Sequence, residues 1–319
     1  MSHRDKTPQT FADQVRAIPG GEHLEMCYSC GTCVSKCMIQ QKVEPEYNPR
    51  RLLRMVMMDM RDEAFQSPTT WLCSECDLCY PACPQEIHIS GVIDAIKQLA
   101  IEAGHESPLE TVSVDESLCS GCGICVMVCP YEAPHLIEKE VEGEMDRFAE
   151  VDVNTCMGCG ICVAACPMGA IARPGVSNAD VRSQIDVPKV DGAPRLLVFV
   201  CDWCLRADDD VSLLESYPEH VRIIHIPCTG RIDPEMALMA LRSDIEGVLV
   251  CGCAPGECHY KRGTYVSSCK IDMLNRMFGQ IGVRDGRVRF VQIGTQDRRR
   301  IRSEVDAMLE HLATQKETQ

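Results

Sequence analysis

Apolar residues recur on different periods along this 319-residue chain. From Asn48 to Phe65, Leu52, Leu53, Val56 and Met60 share one face behind Pro49, and this spacing predicts a helix. Ile87 to Ala103, after Cys83 and Pro84, predicts another. Further on the pattern changes to short apolar runs. Arg195 to Val200, Val221 to Ile226, Gly247 to Val250 and Val288 to Ile293 predict strands. Helices are expected near Pro234 to Arg242, Ser268 to Phe278 and Arg299 to Leu312. Strands that alternate with helices imply a parallel sheet. Residues 172–194 hold Pro174, Gly175, Pro188, Gly192 and Pro194 amid polar residues, which predicts a linker, bounded as 175–194.

An internal repeat lies before that linker. Val114 to Pro134, VDESLCSGCGICVMVCPYEAP, realigns with Val151 to Ile171, VDVNTCMGCGICVAACPMGAI. Each copy predicts a short strand, a cysteine loop and a helix of one or two turns stopped near Pro130 or Pro167, with a charged insertion from Glu138 to Glu150 between the copies.

The cysteine spacing of this repeat occurs four times: Cys27, Cys30, Cys33, Cys37; Cys73, Cys76, Cys79, Cys83; Cys119, Cys122, Cys125, Cys129; and Cys156, Cys159, Cys162, Cys166. Thiolates at every third residue of a tight loop suit three irons of one cubane, while the fourth, a turn further on, reaches a neighbouring cube. Paired copies therefore predict paired [4Fe-4S] clusters. The cross-over rule assigns Cys27, Cys30, Cys33 and Cys83 to one, and Cys73, Cys76, Cys79 and Cys37 to the next. It likewise assigns Cys119, Cys122, Cys125 and Cys166 to a third, and Cys156, Cys159, Cys162 and Cys129 to a fourth.

In the α/β stretch the cysteines fall at predicted strand ends: Cys201 and Cys204, then Cys228, then Cys251, Cys253 and Cys258. The carboxyl ends of parallel strands share one edge, so these thiols should converge. Four of them suit a [2Fe-2S] rhomb or a zinc ion, and spacing does not choose. Iron is preferred because the rest of the chain reads as electron-transfer equipment. Cys201, Cys204 and Cys228 lead the ligand set, with Cys253 next and Cys258 its rival. Cys251 is expected on the strand, turned away from Cys253, and Cys269 is expected to be a buried thiol on a helix. Cys201-Asp-Trp-Cys204 after a strand also fits a redox dithiol, but that chemistry leaves Cys228, Cys253 and Cys258 without a purpose. His259 and Tyr260 are expected as a satisfied surface pair. Met55, Met57 and Met58 read as core filler or an interface patch, not as a soft-metal site.

Bulk properties narrow the function. The formal charge of −15 disfavours nucleic acid, since Lys and Arg cluster only in Asp297 to Arg302 and Asn48 to Arg54, which read as solvated or partner-facing. Met1 to Ile18 is polar, without the apolar core of a secretion signal or a twin-arginine pattern. The apolar runs are too short to cross a bilayer. These features lead to the expectation of a cytoplasmic protein with no transmembrane segment and no nucleic-acid partner.

Family resemblance fits this reading. Gly20 to Glu86, with GGEHLEMCYSCGTCVSKC, NPRRLLRM and WLCSECDLCYPACP, resembles the C subunit of heterodisulfide reductase, which carries two [4Fe-4S] clusters. It departs in Met38, where many such motifs have proline, and an altered local turn is expected. The central repeat resembles a bacterial two-cluster ferredoxin. Leu196 to Gly294, with FVCDWC, IPCTGRIDPE and VLVCGCAPGECHY, resembles the delta subunit of methyl-viologen-reducing hydrogenase, a [2Fe-2S] protein. The resemblance implies partners: an FAD protein like the A subunit of heterodisulfide reductase, a catalytic protein like its B subunit, and a hydrogenase or formate dehydrogenase-type donor.

The expected fold is multidomain α+β and α/β: an α-helical ferredoxin (1–110), a βαβ two-cluster ferredoxin (111–174), the linker, and a C-terminal parallel-sheet α/β domain (195–319). The expected function is a non-catalytic subunit that relays single electrons through four [4Fe-4S] clusters and one [2Fe-2S] cluster, with flavin-based bifurcation on the flavoprotein partner. Two rivals are a reductase acting on its own disulfide-type substrate and a zinc-structured scaffold. The chain lacks both a GxGxxG fingerprint and the adjacent cysteine pair of the catalytic heterodisulfide reductase protein.

Overall fold

A computed structural model describes residues 10–141, 143–204, 217–283, 285–294, 297 and 300–317. Residues 1–9, and Arg298 and Arg299 of the basic run, lie outside them. The chain divides into two units that part between Leu109 and Glu110.

The first unit is helical among its described residues. It comprises α1 (Phe11–Arg16), a 3-10 turn (Leu24–Met26), α2 (Thr32–Lys36), α3 (Met38–Lys42), α4 (Pro49–Met57), α5 (Arg61–Gln66), α6 (Pro68–Leu72) and α7 (Ile89–Glu102). Its core joins Phe11 and Val15 of α1, Leu52, Leu53 and Val56 of α4, Phe65 of α5 and Ile93 and Ile96 of α7. Asn48 caps α4 by accepting from the Arg51 N–H, and Pro49 takes the first turn, where no donor is needed.

The single helix expected from Asn48 to Phe65 is two. Met58, Asp59 and Met60 separate α4 from α5, with Asp59 at φ 60°. The interruption has a use: the Asp59 carboxylate accepts the Phe11 backbone N–H at 2.8 Å and so satisfies the first donor of α1. Trp71 in turn donates its Nε1–H to the Phe65 carbonyl at 2.7 Å.

The second unit begins with the repeat. β1 (Ser113–Val114) pairs antiparallel with β4 (Ile171–Ala172), and between them lie α8 (Ile124–Val128) and α9 (Ile161–Ala165). The charged insertion is a hairpin of β2 (Pro134–Val141) and β3 (Glu144–Val151), in register from Pro134 opposite Val151 to Val141 opposite Glu144.

The segment read as a linker is folded. It carries α10 (Asn178–Ser183), which opens with a reciprocal cap between Ser177 and Asp180. Val181 and Val187 are apolar enough to join the core that follows, and Arg195 Nε fixes the Val187 carbonyl at 2.8 Å.

That core belongs to a four-stranded parallel sheet of β5 (Leu196–Cys201), β6 (Val221–Ile226), β7 (Gly247–Cys253) and β8 (Val288–Ile293), in the order β6-β5-β7-β8. Its helices are α11 (Pro234–Arg242), α12 (Gly263–Gln280) and α13 (Arg300–Glu317). All of β5 is buried, as expected of a parallel strand covered on both faces. Leu197, Phe199, Val248 and Val250 pack with Met236, Ile271, Leu274 and Phe278 of α11 and α12. On the other face Gly247 leaves space filled by Met308 and Leu312 of α13. β7 runs three residues beyond its expected end because β8 keeps pairing with it, Cys253 opposite Ile293. The described helices include none long and apolar enough to cross a membrane.

Phe199 is fully buried at the centre of this sheet. Replacing it with Ala is expected to cost about 3–5 kcal/mol. Native-state hydrogen exchange should show that loss in the amides of β5 and β7 and leave α4 and α7 unchanged. Undiminished protection in β5 would contradict the packing.

Candidate metal centres

The four cysteine loops of the repeated spacing share one backbone device. Two positions in each, the second and the fourth after the first cysteine, sit in the left-handed region: Ser29 and Gly31, Glu75 and Asp77, Gly121 and Gly123, Gly158 and Gly160. Two such residues curl a short loop so that successive thiols face inward. Glycine occupies five of the eight positions, where it adopts this conformation without strain. Gly31, Gly123 and Gly160 then cap α2, α8 and α9.

Each triplet meets a thiol from the other motif of its pair. Burial pushes Cys33 up to about 11, with added repulsion from Cys27, Cys30 and Cys83. Cys79 is raised by burial and by the charges of Cys73, Cys76 and Cys37. Cys159 is pushed up to about 12 by burial, with Cys129 and Cys156 contributing. Cys119, Cys122, Cys125 and Cys166 line a single cavity. Met38 is buried and begins α3, with Cys37 as its cap, so the chain after the fourth cysteine of this loop continues as a short helix.

Thiols crowded and desolvated in this way stay protonated unless a cation compensates them. Sites lined by sulfur alone, with Cys30 and Cys122 exposed at their rims, fit iron held by thiolates, whose binding expels the protons. Tyr47, unmarked in the sequence, is buried with its hydroxyl placed to donate to Cys37 or Cys73, sulfurs from two motifs.

At the carboxyl edge of the parallel sheet, Cys201 ends β5, Cys204 follows, and Cys253 ends β7. The sulfurs of these three lie within 4.8 Å of one another, with Cys201 Sγ and Cys253 Sγ 3.8 Å apart. Cys253 is held well below the usual thiol range by hydrogen bonds from Cys201 and Cys204, which are both raised in turn. Cys228 donates to Cys258, which this bond brings down to about 6, and the Thr264 N–H reaches Cys258 Sγ at 3.5 Å. Cys201 also raises Cys228, so the five thiols form one nest, four of them buried and Cys258 half-buried. Gly263 admits the Cys228–Cys258 pair: a Cβ there would stand 2.0 Å from Cys228 Sγ.

Several expectations change. Cys251 does stand apart, but not through alternation, because residues two apart on a strand face the same side. It sits two residues before the strand's end, raised by burial and by Glu304 of α13, and falls outside the group of Cys201, Cys204 and Cys253. Cys269 is exposed, since α12 buries Ser267, Ile271, Leu274 and Phe278 and Cys269 falls off that stripe. His259 and Tyr260 are buried, not a surface pair. The His259 ring stacks on Trp203 at 3.4 Å, and its backbone N–H supports the Cys253 thiolate.

Comparison with known proteins agrees with this layout. Models of 4Fe-4S dicluster domains match residues 23–87, 72–133 and 118–170. The model of the methyl-viologen-reducing hydrogenase delta subunit matches residues 196–314. The iron-sulfur D subunit of the F420-non-reducing hydrogenase of Archaeoglobus profundus is 38% identical over 98 residues, 30% of this chain and 72% of that protein. The chain belongs to the methyl-viologen-reducing hydrogenase delta subunit family.

Unlike the family's domain alone, this delta subunit relative carries 4Fe-4S dicluster domains in the same polypeptide. It is 32% identical over 98 residues to the C subunit of the H(2):CoB-CoM heterodisulfide,ferredoxin reductase of Methanothermobacter marburgensis, 31% of this chain and 51% of that protein. It is also 31% identical over 121 residues to the A subunit of the Ferredoxin/F(420)H(2)-dependent CoB-CoM heterodisulfide reductase of Methanosarcina acetivorans. That match takes in 37% of this chain but 15% of the Methanosarcina protein. The chain thus spans about half the length of the first of these reductase proteins and a small part of the second.

Gly263→Ala tests the nest. Helix propensity alone favours the change, yet the added Cβ must displace Cys228. Oxygen-free alkylation of the variant followed by peptide mass spectrometry should label Cys228 and Cys258 several-fold faster than in the parent. Equal labelling would contradict the close contact.

Proposed function

We propose that this chain is an electron-transfer subunit that relays single electrons between a hydrogenase or formate dehydrogenase-type donor and a heterodisulfide reductase-like flavoprotein complex. The relay holds four [4Fe-4S] clusters and one [2Fe-2S] cluster, and works as a soluble cytoplasmic component of flavin-based bifurcation. Its partners are an FAD protein like the A subunit of heterodisulfide reductase and a catalytic protein like its B subunit. The observation that carries this reading is the donor chemistry: each site gathers cysteine sulfur from separate loops, most of it buried or half-buried.

The assignments follow that grouping. Cys27, Cys30, Cys33 and Cys83 hold one cubane; Cys73, Cys76, Cys79 and Cys37 hold the second. Cys119, Cys122, Cys125 and Cys166 hold the third, and Cys156, Cys159, Cys162 and Cys129 hold the fourth. Cys201, Cys204 and Cys253 supply three ligands of the [2Fe-2S] site, and the Cys228–Cys258 pair supplies the fourth. When bound, such clusters accept and release one electron at a time. The chain's own residues exclude water, neutralise charge and keep each pair of sites adjacent. Adjacency is favoured by the exchange of fourth ligands, since Cys79 also feels Cys33, and Cys162 also feels Cys125.

Two measurements test the reading. Anaerobic purification from the native source should bring down an FAD protein, and the reduced chain should reduce that flavin on mixing. Cys253→Ser should abolish the [2Fe-2S] EPR signal while Cys251→Ser preserves it. Failure to reduce any flavoprotein, or loss of the signal in both variants alike, would contradict the assignment.

A further inference from the structure

Within the second unit, the fourth cysteine loop and the nest share a seam. The 3-10 turn Thr229–Arg231 follows directly on Cys228 and packs against α9. A Cβ on Gly230 would stand 2.8 Å from Ile161 Cγ1, and one on Gly160 would stand 2.8 Å from Arg231 Cδ. The charge of Cys159 acts on both Cys228 and Tyr260. Lys261 sits 4.8 Å over the Tyr131 ring and forms a second tie. By contrast Cys122 of the third loop is exposed, whereas Cys156, Cys159 and Cys162 are all buried.

Arg231 is the unusual residue at this seam. It is fully buried, and desolvation brings its guanidinium down to about 10. Nε donates to the Val176 carbonyl at 2.8 Å and Nη2 to Asn178 Oδ1 at 2.9 Å, both neutral acceptors. Nη1 is buried with no hydrogen-bond partner. A buried cation with an unused donor needs negative charge nearby. The groups whose negative form acts on it are Asp233, Cys162 and Asp180, Cys162 as a thiolate only when it holds metal. Asp233 already caps α11, and Asp180 already closes the capping box of α10 with Ser177.

We propose that Arg231 is a potential-setting residue for the cluster held by Cys156, Cys159, Cys162 and Cys129, its charge stabilising the reduced form at the point where the ferredoxin module adjoins the C-terminal nest. The inference rests on the relay reading above. A four-thiolate cluster gains one negative charge on reduction, so a fixed positive charge favours the reduced state. At the effective interior dielectric constant of about 20, a unit charge about 10 Å away changes such an equilibrium about tenfold. For one electron that is about 59 mV. Electrons are thereby held at the last ferredoxin site, next to Cys228.

The test is a redox titration of the whole chain followed by EPR, with the relevant [4Fe-4S] signal assigned by its loss in Cys159→Ser. Arg231→Gln is expected to make that one cluster about tenfold harder to reduce and leave the other signals in place. Arg231→Lys, which keeps the charge, should restore most of the shift. An unmoved potential in Arg231→Gln, or an equal displacement in Arg231→Lys, overturns the proposal. If Arg231→Gln does not retain its iron, Arg231→Lys decides. A near-native potential then supports the role of charge, and a tenfold displacement with full iron content overturns it. Absence of any [4Fe-4S] signal in the unaltered chain would instead be a failure of the relay reading.

Discussion

A thiol taken out of water resists ionisation, and several thiols crowded together resist it more strongly. This chain accepts that cost repeatedly. In the first unit the thiols of two loops face one another between short helices, and the apolar core of α1, α4, α5 and α7 begins directly behind Cys27, Cys33 and Cys73. The local order there needs tertiary support: α2, α3 and α6 are five residues long, too short to be stable by themselves. What holds such pieces in place must bind several of them at once. Thiolate ligation to a shared inorganic core, as proposed, would do so and would couple folding to metal uptake.

The parallel sheet is a different case. β5 and β7 are buried along their whole length, and α10, α11, α12 and α13 pack apolar side chains around them. Its cysteines are additions to the carboxyl edge, the customary place for function in such a sheet. Their mutual hydrogen bonds lower Cys253 and Cys258 relative to an ordinary thiol.

The sequence was legible wherever chemistry imposes a spacing. The cysteine triplets and their fourth members stand out because a tight loop admits no other interval. β6, β8 and α11 have the extents their sequences predict because Pro218, Pro227, Pro234, Gly286 and Gly294 bound them. Less legible was anything decided by distant contacts. The break at Asp59 depends on a helix start 48 residues away. The folding of 175–194 depends on where Val181 and Val187 find a core. Arg231, Gly263 and Tyr47 carry no local signature, because their meaning comes from sulfur brought up from other segments.

The central claim is that caged inorganic sulfur, not zinc or disulfide bonding, compensates these buried thiols. Acid-labile sulfide, counted with iron in rigorously oxygen-free protein, tests it most directly. Four cubanes and one rhomb require about 18 of each per chain, and their removal should unfold the helical first unit while the parallel sheet persists. A colourless chain that is fully folded, contains no labile sulfide and holds stoichiometric zinc would contradict the account.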